Sequence, residues 1–346
     1  MTDLAQRFLI VRLSSIGDIV HALPAAAALA ETFPQAQIHW VVEKRHALLL
    51  KGNPHVHRVV MLDTLGWRKH LASPPTWHEI RDGLGALRET RYDAALDFQG
   101  LWKSAVVAWL SRAGERIGFA KAWLREPSAA VLYTRTVAPR PHIHVVAENL
   151  ALAENLGART QRWQFPLPGN EEDEAYVDAQ LNALKAQSFV IVNPGGGWRS
   201  KCWSPQNYAA LIRLWEAART EMIILTGSPA EENFINEILH TAEAQRARYL
   251  PTTLVQFIAL TRRARLFIGG DTGPMHLAAA VGTPIVGIFG PTDPVRNGPF
   301  AADDIALSNH GVINHTRRGV NPAYLPGISV ESVMAAAEER LTRVHG

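Results

Sequence analysis

The sequence predicts an α/β protein of two doubly wound domains facing each other across a cleft, and three observations carry that reading. Short apolar, β-rich runs alternate with Ala-, Leu- and Glu-rich stretches along most of the chain. A segment with two prolines, a glycine and an acidic cluster interrupts the alternation near the middle. Beyond it, each strand-like run ends in a glycine-bearing turn. At 346 residues and 47% hydrophobic content the chain is long enough for two cores, since a single core stops growing at roughly 250 to 300 residues.

The first strand is "FLIVRL" (8–13) and the first helix "IVHALPAAAALAETF" (19–33), so the turn between them holds Ser14, Ser15, Gly17 and Asp18. "QIHWVVE", "HRVVML" and "DAALDF" follow as strands, separated by helix-forming segments up to residue 157. "RTQRWQFPLPGNEEDE" (159–174) reads as the linker. Strands resume with "SFVIVNPGGG" (188–197), "EMIILTGSP" (221–229), "ARLFIGGDTG" (264–273) and "TPIVGIFGP" (283–291). An amphipathic helix, "SVESVMAAAEERLTRV" (329–344), closes the chain, with Ser329 as its N-cap and Glu331 and Ser332 in its first turn. The predicted partition is 1–165, 166–328 and the closing helix 329–346.

Composition narrows the function. The single cysteine, Cys202, can form neither an internal disulfide nor a multi-thiolate metal site. No apolar run reaches the ~18 residues of a membrane span, and residues 1–7 are too short and too acidic for the basic region of a signal peptide, so a cytoplasmic location is expected. The net charge of +3 hides an asymmetry: residues 1–165 hold 20 Lys+Arg against 14 Asp+Glu, and the remainder 15 against 18. A basic first half points to an anionic partner there, with "WRKH" (67–70), Arg81, Arg88, Lys103, Lys121 and Arg125 as candidates, or else to solvated helix faces. The modest charge and the absence of a recognised reading motif argue against nucleic acid.

Three turns in the second half could hold a ligand. In "GGDTGPMHLAAAVGTP" (269–284), Gly273 and Pro274 open a helix after a strand, and the unpaired N–H groups of that first turn make an anion site. Asp271 could accept from sugar hydroxyls, Thr272 could donate to phosphate, and His276 lies nearby; the bland alternative is a capped helix with His276 as a packed ring. "NPGGGWRSKCW" (193–203) offers a backbone with little steric bulk at Gly195, Gly196 and Gly197, followed by Lys201 to neutralise charge. Its spacing is not that of a Walker A loop, and no GxGxxG follows the first strand. "TGSPAEE" (226–232) adds Glu231, a ribose ligand or merely an acidic helix start. Together these describe a nucleotide pocket. Asp18, in the other domain, is either an N-cap or a general base that deprotonates an attacking hydroxyl, and both roles can hold at once. His21 reads as a helix-face histidine.

These residues resemble the ADP-heptose:lipopolysaccharide heptosyltransferases, inverting glycosyltransferases of the GT-B fold with two Rossmann-like domains. The likeness runs through "RLSSIGDIVHALPA", "YDAALDFQGLWKSA", "LREPSAAVLY", "SKCW" and "DTGPMHLAAAVGTPIVGIFGPTDP", and it is nearest to the heptosyltransferase I branch. The resemblance implies transfer of heptose from ADP-heptose to a Kdo sugar of a Kdo-lipid A type acceptor, with Asp18 as the catalytic base and Lys201 as the diphosphate and heptose ligand. It further implies donor contacts from Gly196, Gly197, Glu231, Thr252, Asp271, Thr272, Gly273 and His276. Acceptor contacts would come from Arg12, Ser15, Gly17, Arg68, Lys69, Gln99, Arg125 and His144. No metal or other cofactor is implied. The closing helix is expected to cross back onto the first domain, and the protein to act as a monomer, peripheral on the cytoplasmic face of the inner membrane. The alternatives are another nucleotide sugar or acceptor on the same fold, or a nucleotide-sugar-binding module without catalysis.

Overall fold

The computed structural model describes residues 6–70, 72–196, 202–309, 325 and 327–343. The chain divides into two units, Met1–Pro168 and Gly169–Gly346.

In the first unit the order is β1 (Arg7–Val11), α1 (Ile16–Thr32), β2 (Gln37–Glu43), β3 (Arg58–Leu62), α2 (Thr64–Lys69), α3 (Pro74–Arg88), β4 (Ala94–Asp97), α4 (Trp102–Leu110), β5 (Glu115–Phe119), β6 (Arg135–Val137) and α5 (Val145–Glu154). The strands form one parallel sheet in the order β3-β2-β1-β4-β5-β6. β1 sits centrally, with Val11 in register with both Val41 and Asp97. Its residues Phe8–Val11 are buried, as expected of a parallel strand covered on both faces. The Ala-rich α1 is buried over most of its length and packs on α5.

The second unit runs α6 (Glu171–Ala183), β7 (Phe189–Asn193), α7 (Pro205–Ala218), β8 (Met222–Leu225), α8 (Glu232–Ala242), β9 (Arg248–Tyr249), α9 (Leu254–Arg263), β10 (Phe267–Gly270), α10 (Gly273–Ala280), β11 (Ile285–Phe289), α11 (Pro294–Asn297), β12 (Ile305–Ser308) and α12 (Val330–Thr342). Its sheet, again parallel, has the order β12-β11-β10-β7-β8-β9. Each unit therefore starts in the middle of its sheet, winds to one edge, then returns to the centre and winds to the other. The reversal falls between β1 and β4 in the first unit and between β7 and β10 in the second. The two doubly wound α/β domains expected from the alternation are present.

The closing helix belongs to the second unit: Val333, Met334, Ala336, Ala337 and Leu341 of α12 join that unit's core with Trp203, Trp215, Val286 and Ile288. Ser329 caps it, its Oγ accepting from the Ser332 N–H at 3.1 Å. On the same buried face Arg340 Nε donates to Asp304 Oδ1 at 2.9 Å, both side chains being buried. An amphipathic pattern shows that a face is covered but not by what; here the apolar face meets α7 and β11. Among the described residues no helix is long and apolar enough to cross a membrane.

Candidate active site

In an open parallel sheet, ligands bind at the carboxyl ends of the strands where the winding reverses. In the first unit this point is tied together by residues just past β1 and β4. Arg12 is buried, donates from Nη1 to the Phe98 carbonyl and pairs through Nη2 with Asp18 Oδ1. Gln99 Oε1 accepts from the Leu13 N–H at 2.9 Å. Arg12, expected to face an anionic acceptor, is thus turned inward onto Asp18 and the neighbouring loop.

Asp18 is not the N-cap of α1. Ser15 occupies that position, and Asp18 lies three residues into the helix, where its Oδ2 accepts from the Ser15 N–H at 3.0 Å and Oγ–H at 2.8 Å. This satisfies one of the donors that a helix start leaves unpaired and places an anion at the positive end of the helix. Ser15 thus occupies both lone-pair sites of Oδ2, while Oδ1 is the oxygen that faces Arg12. The side chain is 41% exposed. The result is a carboxylate held in one orientation from two sides and partly open to solvent. Gly17 is buried in the first turn of α1.

Other groups at this edge were not foreseen. Asp97, fully buried at the end of β4, accepts from the N–H groups of Gln99 (2.8 Å) and Gly100 (3.1 Å) and from the Tyr133 hydroxyl (2.7 Å). Burial pushes its carboxyl above the ordinary carboxylate value, against the pull of these bonds. Asp97 thereby shapes the turn that presents Gln99, and Gly100 at φ +67° adopts the left-handed conformation that glycine tolerates. Glu43, buried at the end of β2, accepts from Thr64 Oγ1 at the start of α2 and lies 4.0 Å from Lys103 Nζ. His46, in the 3-10 segment Lys44–Leu50, has a buried Nε2 with no hydrogen-bond partner among the described residues. Burial, followed by the Arg45 and Lys103 charges, holds its pKa at about 4 against the opposing charge of Asp18.

The remaining acceptor-side candidates are distributed. Arg68 and Lys69 are exposed in the last turn of α2, the helix whose first residue holds Glu43. Arg125 is exposed between the 3-10 segments Lys121–Trp123 and Pro127–Leu132. His144 caps α5: its Nδ1 accepts from the Val146 N–H at 3.2 Å, and its ring packs against His21 and Trp163.

In the second unit the corresponding edge gathers the strand ends of β7, β8 and β10. Asn193 Nδ2 donates to Thr226 O at 2.9 Å and to Thr226 Oγ1 at 3.1 Å, joining the first two turns. Glu231 Oε2 accepts from the Ser228 N–H (2.8 Å) and Oγ–H (2.7 Å), repeating the Ser15–Asp18 arrangement. Gly195 lies directly against this carboxylate; a Cβ there would collide with Glu231 Oε1. After β10, buried Asp271 Oδ1 and His276 Nε2 lie 3.1 Å apart. Thr272 holds the N-cap position of α10 without a side-chain cap bond, its hydroxyl donating instead to Gly270 O at 3.3 Å. The Thr272 side chain therefore does not cap the first-turn N–H groups that begin at Gly273, and a helix start of this kind suits an anion. Gly196 is half-buried beside these turns, and Thr252 is half-buried just ahead of α9. Gly197 and Lys201 lie outside the described residues. No three His, Cys, Asp or Glu side chains gather to hold a metal ion among the described residues.

Residues 83–323 match glycosyltransferase family 9 (heptosyltransferase). The chain is 30% identical over 313 residues to lipopolysaccharide heptosyltransferase 1 of Pseudomonas aeruginosa, covering 88% of this chain and 84% of that one. Lipopolysaccharide heptosyltransferase 3 of Escherichia coli is 26% identical over 337 residues, 94% of this chain and 95% of its own. Among solved structures, Escherichia coli heptosyltransferase WaaC with ADP superposes with a TM-score of 0.76 at 27% identity, covering 97% of this chain and 100% of that one. WaaC has also been solved with ADP-2-deoxy-2-fluoro heptose.

Proposed function

The chain belongs to glycosyltransferase family 9, the heptosyltransferases, and from that membership we propose that it transfers heptose from ADP-heptose to a Kdo residue of a Kdo-lipid A type acceptor, inverting the anomeric centre. The observation that carries the reaction is the Asp18 carboxylate, held by Ser15 and Arg12 at the carboxyl edge of the first sheet. WaaC binding ADP and an ADP-heptose analogue supports the donor.

In this reading the acceptor hydroxyl gives its proton to Asp18 as its oxygen bonds to heptose C1, and the bond from C1 to the β-phosphate oxygen breaks. ADP departs with the electron pair. General base action of this kind contributes roughly 10²- to 10⁴-fold. The charge developing on the diphosphate is met by the N-terminus of α10, Thr272 and Gly273, with Lys201 as the cationic ligand. Glu231 takes the adenosine ribose, while Asp271 and His276 meet heptose hydroxyls. Arg68, Lys69 and Arg125 supply positive charge toward the anionic acceptor, and Gln99, set by Asp97, lines its approach. The site operates without a metal, and the enzyme works as a monomer on the cytoplasmic face of the inner membrane, where its acceptor is anchored.

The likeness to heptosyltransferase 3 supports a second reading, in which donor and chemistry stay the same and the acceptor is a later sugar of the core. The test incubates the protein with ADP-heptose and either Kdo-lipid A or a heptose-bearing core fragment, and reads products by mass spectrometry. A one-heptose mass gain on Kdo-lipid A is expected. Gain on the heptosylated fragment alone moves the assignment to the second reading. Stabilisation by a UDP-sugar in preference to ADP-heptose in a thermal-shift panel overturns the donor.

A further inference from the structure

On α4 of the first unit, Trp102, Val106 and Trp109 recur at spacings of four and three residues, which places them on one helix face, and they are 42%, 37% and 53% exposed. Val131 of the adjoining segment Pro127–Leu132 is 75% exposed, and Trp102 Nε1 donates to Ser128 Oγ of that segment at 3.0 Å. Water thus meets a ridge of two indoles and two valines.

A surface pocket of about 340 Å³ opens at one end of this ridge, lined by Arg88, Trp109, Leu110, Arg112, Ala113 and Arg116. Three of the six lining residues are arginines and none is acidic. Arg88 Nε donates to Leu110 O at 3.0 Å and Arg116 Nε to Leu132 O at 2.8 Å, so main-chain bonds hold two of the guanidinium groups beside the ridge. Arg112 follows α4 at φ 56°, a left-handed position that glycine or asparagine adopts more readily. The carboxylate at the start of α4, Glu126, is engaged: its Oε2 accepts from the Trp102 N–H at 2.6 Å.

We propose that this ridge and arginine pocket form a docking surface for an anionic phospholipid bilayer. Guanidinium groups pair with phosphate in a fixed fork, and indoles settle at the boundary between headgroups and acyl chains. Only a bilayer surface presents phosphates and apolar matter side by side in one plane, which is the juxtaposition that the pocket and the ridge match. A soluble phosphate would use the arginines and leave the ridge in water. The inference deepens the reading of the acceptor as a membrane-anchored glycolipid, by assigning the face that meets the membrane.

The test is sedimentation of the full chain with vesicles of phosphatidylglycerol and phosphatidylethanolamine, without donor or acceptor, so that failure of the proposed reaction leaves the result untouched. Wild type is expected to pellet with these vesicles, to pellet less as salt rises, and to stay in solution with phosphatidylcholine vesicles. The double variant Trp109→Ser, Arg112→Asn should bind the anionic vesicles at least about tenfold more weakly. Asparagine tolerates the left-handed backbone, and an unchanged melting temperature verifies the fold. Equal pelleting with both vesicle types, or unaltered binding by the variant, overturns the proposal. So does a melting temperature raised by inorganic phosphate in wild type but not in Arg112→Asn, without vesicle binding, since the pocket would then serve a soluble anion. A dimer of wild type that the variant abolishes, again without vesicle binding, would assign the ridge to a second copy.

Discussion

Arg12 and Asp18 are ion-paired across the first βα turn, with Arg12 buried and Asp18 41% exposed on its side chain. The buried partner also reaches the Phe98 carbonyl, so the turn after β1 and the turn after β4 are set by one guanidinium. Asp18 is thereby presented to solvent from a fixed support.

Replacing Asp18 by Asn keeps its size and its capacity to accept from Ser15 but removes the proton acceptor. Turnover is expected to fall by about 10²- to 10⁴-fold while the Kd for ADP, read by calorimetry, changes little. Near-normal turnover would exclude Asp18 as the base.

Gly195 and Glu231 are in contact, and Gly195→Ala would drive a methyl group into the carboxylate. With Glu231 displaced from Ser228, and so from the ribose contact proposed for it, the KM for the ADP-sugar should rise about tenfold or more, the cost of a lost charge-assisted hydrogen bond. Steady-state kinetics check this; an unchanged KM would remove Glu231 from the donor site.

His39 and His46 both have pKa values of about 4, depressed first by burial and then by neighbouring cations, Arg58 for His39 and Arg45 for His46. In the unfolded chain they titrate near 6.5, so between pH 6.5 and 4 the unfolded state binds more protons than the folded one. Stability is therefore complete above pH 6.5 and is lost as pH falls through this window. The melting temperature should decline from pH 6.5 to 5, and the decline should be shallower in His39→Gln. An equally steep decline in that variant would contradict the assignment.

Arg340 of α12 neutralises Asp304, whose carboxylate also accepts from the Ile285 N–H at 2.9 Å and whose carboxyl is raised by burial. Arg340→Met strands a buried charge and should cost roughly 3 to 5 kcal/mol in urea denaturation, much of it recovered in the double variant with Asp304→Asn. A loss below about 1 kcal/mol would mean that the pair does not anchor the helix.

Much of this protein was legible without coordinates. The alternation of apolar and helix-forming runs gave both doubly wound units because strand and helix periodicity are local properties of the chain. The turns bearing Asp18, Glu231, Asp271 and Gly273 were recognisable because chemistry in such sheets gathers where strands end. Tertiary structure alone decided which way side chains turned. Arg12 looked like an outward cation, yet it is held by Phe98, 86 residues away. Leu13 and Gln99 meet across the same separation. Asp97 looked like an ordinary strand residue within "DAALDF". α12 showed an apolar face without showing that α7 and β11 would cover it. Periodicity determines that a face is apolar; only the packing of residues distant in sequence determines what meets it.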